Sequence, residues 1–139
     1  MKNTQSLVHD LIPETARAIQ DPFSQDLIYL WDARYMKGKV FTIETYEEPV
    51  ECLGYILLQE SKKDWTIRGF FVQEQYRGHG IGNGLLTCVD DFIRESKKKV
   101  CYVNITKGAE GSYLRHGFEI LGPRVDFPDQ VKAKKVYGN

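Results

Sequence analysis

The sequence predicts an α/β fold: a mixed, mostly antiparallel sheet with one parallel pair of strands, flanked by helices. Two observations predict it. Three β-prone runs between residues 39 and 72 are separated by short turns, and a glycine-rich loop then opens an amphipathic helix that is followed by another strand. We expect a single domain over residues 1–139, because a chain of this length supports one core.

The three runs predict an antiparallel meander. Lys39–Tyr46 alternates in polarity, Val50–Leu58 is apolar and β-prone, and Trp65–Val72 is a third strand. The turns between them are Glu47-Glu48-Pro49 and Ser61-Lys62-Lys63-Asp64. Connections this short allow only antiparallel neighbours.

The helix after the glycine-rich loop is predicted to be amphipathic. Its apolar face comprises Ile81, Leu85, Val89, Phe92 and Ile93. Its polar face comprises mainly Asp90, Asp91, Arg94 and Lys97. Strands are then expected at Lys99–Thr106, Phe118–Leu121 and Val131–Tyr137, with a short helix at Ser112–His116. The strand–helix–strand order implies the parallel pair.

The N-terminal third predicts helices rather than strands. One helical face comprises Leu7, Val8, Leu11 and Ile12. Pro13 interrupts this face and opens a second short helix through Ile19. A further series at helical spacing runs from Phe23 to Tyr35 and ends at Gly38, the expected C-cap.

Composition excludes several functional classes. Lys+Arg and Asp+Glu both number 19, so the zero net charge does not favour a nucleic-acid-binding role for the lysines at 97–99 and 132–135. The three cysteines are odd in number and lack Cys-x-x-Cys spacing, which predicts reduced thiols and neither a disulfide nor a metal site. No long apolar run is present, so we expect a cytoplasmic protein without a membrane span.

The loop after Val72 is crowded with glycines between Arg77 and Gly84. Glycine lets the main chain approach an anion closely, and a helix N-terminus presents unpaired N–H groups with a partial positive charge. The loop therefore predicts a pyrophosphate cradle. A Rossmann pattern does not fit, because its third glycine would fall on Asn83 or Leu85, and no Gly-Lys-Ser/Thr of a P-loop is present.

Two spaced motifs identify a family. Arg77-x-x-Gly80-x-Gly82 follows Val72, and Ala109-x-x-x-Tyr113-x-x-x-Gly117-Phe118 lies one helix and one strand later. Together they resemble the acetyl-CoA signature and the second signature of the GCN5-related N-acetyltransferase (GNAT) family. The order of strands and helices is similar to that family over residues 39–137.

The resemblance implies an acyl-CoA cofactor, with acetyl-CoA favoured, and transfer of acetyl to a primary amine of a small molecule or a protein by direct attack. The end of the Trp65–Val72 strand would pair with the pantetheine arm, and N–H groups from Gly78 to Asn83 would hold the pyrophosphate. The implied cofactor-binding residues are Phe70, Phe71, Val72, Arg77, Gly78, His79, Gly80, Ile81, Gly82, Asn83 and Asn104.

The resemblance also implies a catalytic residue, Tyr113, which matches the tyrosine that gives a proton to the departing CoA thiolate. A tyrosine pKa of about 10 against a thiol pKa of about 8.5 suits that role. Lys107–Gly111 lengthens the preceding loop by about two residues, so either Asn104 or Thr106 would contact the cofactor. The first strand of the family pattern is either missing or replaced by the early helices.

The residues leave the general base and the acceptor open. The candidate bases are Glu44, Glu51, Asp64 and Asp32. The acidic segment from Glu44 to Glu51 is either a solvated hairpin tip or a mouth that attracts cationic amines. A main-chain N–H near Phe71 or Val72 would donate to the oxyanion. The alternative to an enzyme is a non-catalytic acyl-CoA-binding or protein-interaction module, and either a monomer or a homodimer is expected.

Overall fold

The alternating and β-branched runs of the sequence form one sheet. A computed structural model of the chain describes residues 3–11 and 37–138. The elements of this part, in chain order, are β1 (Thr4–Asp10), β2 (Lys37–Thr45), β3 (Cys52–Glu60), β4 (Trp65–Val72), a short 3₁₀ turn (Glu74–Tyr76), α1 (Ile81–Glu95), β5 (Val100–Thr106), α2 (Glu110–Arg115), β6 (Glu119–Pro123) and β7 (Gln130–Val136). The strands lie in the order β1-β2-β3-β4-β5-β7-β6.

The predicted antiparallel meander is confirmed in β2, β3 and β4. The strand predicted at Trp65–Val72 has those bounds. The predicted Lys39–Tyr46 corresponds to β2 and Val50–Leu58 to β3, each displaced slightly along the chain.

The N-terminal segment is a strand, and the helix predicted on Leu7, Val8 and Leu11 is wrong. β1 pairs antiparallel with β2, beginning with Thr4 opposite Thr45. Burial alternates along β1, so Leu7 is half-buried while Val8 is 50% exposed. A run this short fits the hydrophobic period of a helix and that of a strand. Pairing with the edge of β2 satisfies the main-chain hydrogen bonds of both segments, which favours the strand. The expectation that a first strand is missing, or replaced by helices, is therefore also wrong.

Gly38 lies inside β2, so its prediction as a helix C-cap is wrong. A Cβ at this position would lie 2.1 Å from the carbonyl oxygen of Leu58 on the neighbouring strand, which explains why glycine is required there. The helices predicted at Pro13–Ile19 and Phe23–Tyr35 lie outside the described residues, as does Ile12.

The second half of the chain follows the predicted order of elements. The amphipathic helix is α1, the strand predicted at Lys99–Thr106 is β5, and the last two strands are β6 and β7. The short helix α2 begins and ends slightly before the predicted Ser112–His116. Gly117 follows it with a φ of 85°, as is typical of a glycine just past a helix end.

β4 and β5 form the predicted parallel pair, but the pairing is short. It joins Trp65–Ile67 to Cys101–Val103 and extends no further. At the same point the register between β3 and β4 shifts between Leu57 and Leu58, which leaves Arg68 as an extra residue in a β-bulge. Beyond the third pair the two strands separate, and a gap opens between their C-terminal ends.

The main core lies between the sheet and α1. The buried apolar residues of this helix form one stripe: Ile81, Leu85, Leu86, Val89 and Ile93. They belong to one cluster with inward residues of β2, β3, β4, β5 and β7, as a helix face of this periodicity requires. No helix among residues 3–11 and 37–138 is long and apolar enough to cross a bilayer.

β6 is an edge strand of the described sheet. It pairs antiparallel with β7, its register shifts between Ile120 and Gly122, and it ends at Pro123. The strand is short, and Leu121 on it is 46% exposed.

We expect Gly54→Ala to lower the free energy of unfolding by about 1–3 kcal/mol, measured by urea denaturation. A Cβ at Gly54 would lie 2.8 Å from the carbonyl oxygen of Phe71 and 3.1 Å from the side chains of Ile81 and Leu85. The backbone of β4 and the start of α1 would have to shift to admit it.

Gly69→Ala is the matched control on the neighbouring strand. The nearest atoms to a Cβ there lie 3.3 Å or more away and belong to the side chains of Leu57 and Tyr55, which can adjust. A loss of stability at Gly69 as large as that at Gly54 would contradict the close approach of β3 to α1.

Candidate functional site

The chain passes from β4 to α1 through a loop at residues 73–80. Gly78 and Gly80 have φ values of 83° and 82°, in the left-handed region that glycine adopts without steric cost. Gly80 is the N-cap residue of α1, and no side chain caps this helix. Such turns entering a helix N-terminus are typical of anion-binding concavities.

Consecutive main-chain N–H groups of residues 78–83 make no hydrogen bond to another described residue. The bond that closes the first helical turn runs from the N–H of Gly84 to the carbonyl oxygen of Gly80, at 2.9 Å. No acidic side chain lies in the first turn of α1 to neutralise the partial positive charge of the helix end. The loop thus offers several donors to one anion.

A groove of about 540 Å³ is lined by this loop, the end of β4 and part of α2. Most of the predicted cofactor-binding residues line it: Phe70, Phe71, Val72, Arg77, Gly78, Gly80, Ile81, Gly82 and Asn83. His79 is exposed and is not among the lining residues, so its prediction gains no geometric support. Sequence reasoning missed four other lining residues, Tyr76, Ala109, Ser112 and Arg115.

Hydrogen bonds hold the loop against β3. The N–H of Gln73 donates to the carbonyl oxygen of Leu53 at 2.9 Å, and its side-chain Nε2 donates to that of Cys52 at 2.6 Å. The hydroxyl of Tyr76 donates to Glu51 at 3.0 Å. These bonds fix both ends of the 3₁₀ turn, so the glycines that follow start from a defined position.

A second cavity of about 200 Å³ occupies the gap between β4 and β5. Asn104 and Thr106 of β5 both line it, so both alternatives for the cofactor contact border the gap. Phe70 and Ala109 line this cavity and the groove alike, which makes the two spaces adjacent. Tyr113 lines the second cavity from α2.

Tyr113 is held by aromatic packing and is only 7% exposed. Its ring meets those of Phe70 and Phe118 edge-on, at centroid distances of 5.8 Å and 5.5 Å. Burial raises the pKa of Tyr113 well above its ordinary value. The phenol therefore stays protonated at physiological pH, and its hydroxyl makes no hydrogen bond to another described residue.

Three of the four candidate general bases lie among the described residues, and each has another place in the fold. Glu44 accepts a 2.5 Å hydrogen bond from the Thr42 hydroxyl, and Glu51 accepts one of 3.0 Å from the hydroxyl of Tyr76 in the loop. Asp64 precedes β4 and so lies at the strand end opposite the glycine loop. None of these three described carboxylates lines the groove or the gap, and Asp32 lies outside the described residues.

The acidic segment between β2 and β3 is an exposed turn at its tip. Tyr46 is 58% exposed, and Glu47 and Glu48 are exposed beside it. The turn lies at the glycine-loop end of the sheet, because Gln73 of the loop bonds to Cys52 at the start of β3. None of Tyr46, Glu47 and Glu48 lines the groove or the gap.

A buried polar network adjoins the groove. The amphipathic pattern places Asp90 on the polar face of α1, and this prediction is wrong, since Asp90 is 5% exposed. One of its oxygens accepts from the Tyr137 hydroxyl at 2.7 Å and from Lys135 at 3.0 Å, and the other lies 3.1 Å from Nδ1 of His116. Nε2 of His116 lies 2.7 Å from Oδ1 of Asn83, a residue that lines the groove.

A weak sequence signal for this network exists. Asp90 lies four residues after Leu86, which is fully buried, so the two share a helix face. A carboxylate at such a position requires partners, because burying an unpaired charge is costly. The partners are distant along the chain, and only the fold brings them together.

The described residues contain no group of three or more His, Cys, Asp or Glu side chains placed to hold a metal ion. The cysteines are free thiols, as predicted, with Cys101 buried and Cys52 and Cys88 half-buried. Burial raises the pKa of both Cys52 and Cys101 to about 12, so these two thiols stay un-ionised and unreactive at neutral pH.

Comparison with known proteins places this geometry in context. A family model described as an acetyltransferase (GNAT) domain matches residues 15–128. No curated protein sequence matches the chain. Many solved structures share its fold, and they include N-acetyltransferases or related proteins from bacteria and an archaeon.

The ribosomal-protein-S18-alanine N-acetyltransferase from Escherichia coli aligns with a TM-score of 0.73 and 12% identity, over 97% of this chain and 96% of that one. The IAA acetyltransferase from Bacillus cereus aligns with a TM-score of 0.70 and 18% identity, over 95% and 99%. Ard1 from Thermoplasma volcanium aligns with a TM-score of 0.69 and 16% identity, over 96% and 99%. At such low identities these structural alignments confirm the predicted fold class, and they do not show which substrate this chain uses.

We expect Gly80→Ala to lower the free energy of unfolding by about 1 kcal/mol, because a β-carbon is strained at a φ of 82°. Steric contact does not contribute, since a Cβ there meets no atom within 4 Å. Gly80→Asn is the matched variant, and urea denaturation should show a smaller loss because asparagine tolerates the left-handed region. Equal losses in the two variants would contradict the described loop conformation.

Proposed function

Because the chain belongs to the GNAT acetyltransferase family, we propose that this N-acetyltransferase moves the acetyl group of acetyl-CoA to a primary amine by direct attack on the thioester. The acceptor is a small molecule or a protein amino group. The family uses acetyl-CoA as its co-substrate, and the groove of the described residues suits that ligand. The free thiols fit a reducing compartment, and we propose the cytoplasm.

The single observation that carries the proposal is the run of N–H groups at residues 78–83 that bond to no other described residue, because five of these six residues line the groove. A diphosphate carries negative charge and many acceptor oxygens, so several N–H groups and a helix N-terminus hold it together. Arg77 at the edge of the groove adds a positive charge. Phe70, Phe71 and Val72 line the same groove on the side of β4.

The ladder between β4 and β5 ends at Ile67, and Arg68, Gly69 and Phe70 beyond it line the gap. The amides of the pantetheine arm would lie along this part of β4. This path leads from the cradle toward the gap between β4 and β5. Asn104 or Thr106 would contact the cofactor from the other strand, because both border the gap.

The thioester would lie in the gap, beside Tyr113. A main-chain N–H near Phe71 or Val72, at the end of β4, would donate to the oxygen that becomes negative during attack. The amine must be neutral to attack, and for an amine of pKa about 10.4 only about one molecule in a few thousand is neutral at pH 7. A base reached directly or through water would raise that fraction.

Tyr113 would stabilise the departing thiolate. Its raised pKa exceeds the value of about 8.5 for a free thiol, so the proton stays mainly on the phenol and Tyr113 acts first as a hydrogen-bond donor to sulfur. Burial in the same cavity would also raise the pKa of the CoA thiol. The pKa values of the thiol and of Tyr113 would then be closer, which favours proton transfer to the departing sulfur.

We expect Gly80→Glu to abolish CoA binding in isothermal titration calorimetry, because a carboxylate would face the diphosphate across the cradle. Gly80→Gln is the control with the same size and the same backbone strain but no charge, and it should bind more tightly than Gly80→Glu. Unchanged affinity in Gly80→Glu would remove the cradle from the proposal.

We expect Tyr113→Phe to lower kcat by about 10²-fold or more while the KM for acetyl-CoA changes little, because the hydroxyl acts on the leaving group rather than on binding. Release of free thiol with an amine acceptor measures both constants. Stability should hardly change, since the hydroxyl bonds to no other described residue. An unaltered kcat would reduce Tyr113 to a packing residue.

A further inference from the structure

His116 joins a buried acid to the edge of the groove. Its side chain is 12% exposed, and that of Asp90 is 7% exposed. Nδ1 lies 3.1 Å from Asp90, and Nε2 lies 2.7 Å from the side-chain amide of Asn83. Asn83 stands in the first turn of α1 and lines the groove, and its main-chain N–H bonds to no other residue of the described ranges.

Which atoms donate and which accept in the contacts from Asp90 through His116 to Asn83 depends on whether the His116 ring is protonated. The Asp90 carboxylate only accepts, so Nδ1 carries a hydrogen. When the ring is neutral, Nε2 must accept from the Asn83 amino group. When the ring is protonated, Nε2 donates to Oδ1 of Asn83 instead.

The two states present different groups of Asn83 to the groove. With His116 neutral, the amide keeps its carbonyl oxygen and one N–H for a partner other than His116. With His116 protonated, the carbonyl oxygen is engaged and both N–H donors of the amino group are free for an anion. The second state suits a diphosphate, and the first places an acceptor oxygen against it.

Charged groups face His116 from each neighbouring element. Asp90 approaches from α1, Lys135 of β7 bonds to that carboxylate, and the hydroxyl of Tyr137 does likewise. Arg115 precedes His116 and bonds to Ser112 beside the groove. Lys135 already balances Asp90, so a proton on His116 adds one positive charge next to the cradle.

We propose that His116 is a positioning residue for the diphosphate: its protonated ring turns the amino group of Asn83 into the groove and strengthens binding there. This rests on the proposed function, since the anion is the diphosphate of an acyl-CoA. Linkage is reciprocal: if the protonated ring favours binding, binding favours the protonated ring, and affinity rises as the pH falls.

Calorimetry with dephospho-CoA tests the proposal, because this ligand lacks the 3′-phosphate that itself titrates near pH 6. Between about pH 8 and pH 6, where histidine changes charge, we expect the affinity of the native protein to rise about five-fold or more. His116→Gln should retain the weaker affinity and lose the pH dependence. Asn83→Ser should lose it too, and this exposed position poses little risk to folding.

Two other histidines serve as comparisons. His9→Gln, on β1, should keep the full pH dependence, since that side chain contacts Thr42 and Glu44 rather than the groove. A dependence that survives in His116→Gln, or that disappears only in His79→Gln, overturns the proposal. If it survives in Asn83→Ser, the charge acts directly and the role assigned to the amide is wrong.

Failure of the proposed function would look different. The native protein would then bind dephospho-CoA at no pH, and both proposals would fall together. Binding without pH dependence would leave the acetyl-CoA site standing and overturn only the role of His116. Thermal unfolding of each variant shows that a lost response does not come from a lost fold.

Discussion

The short pairing between β4 and β5 is the constraint on which the site depends. Hydrogen bonds join the strands only at Trp65–Ile67 and Cys101–Val103, and the bulge at Arg68 coincides with the point where they part. If β4 and β5 were paired along their whole length, the edge of β4 would be hydrogen-bonded to β5. There would then be no gap beside Tyr113. Because of the separation, Arg68, Gly69 and Phe70 line a gap instead of joining a ladder with β5.

One aromatic ring connects the parts that surround this gap. Phe70 at the end of β4 packs on Tyr113 of α2, and a Cβ at Gly82 of α1 would lie 3.2 Å from the same ring. The cradle, the strand edge and the proposed proton donor are therefore positioned against each other by packing. Close packing transmits small displacements, so a change at the start of α1 affects the place of the phenol.

Local pattern predicted the second half of the fold well because its signals are local. The glycines at 78 and 80 adopt positive φ as their chemistry allows, and Trp65–Val72 is a β-prone run between a polar turn and the glycine loop, so its bounds are predicted correctly. β1 was not predictable in this way, since its few residues fit a helix and a strand equally, and the edge of β2 decided. The partners of Asp90 come from α2 and from the end of the chain, so no spacing near Asp90 predicts them.

The form of β6 bears on how molecules of this protein meet. An exposed edge strand has main-chain N–H and C=O groups without partners, and a strand of another molecule can pair with them and extend the sheet. Here the rim strand is brief, is interrupted by a register shift and stops at a residue that lacks an amide hydrogen. It is a poor template for a foreign strand, so polymerisation along that side is disfavoured.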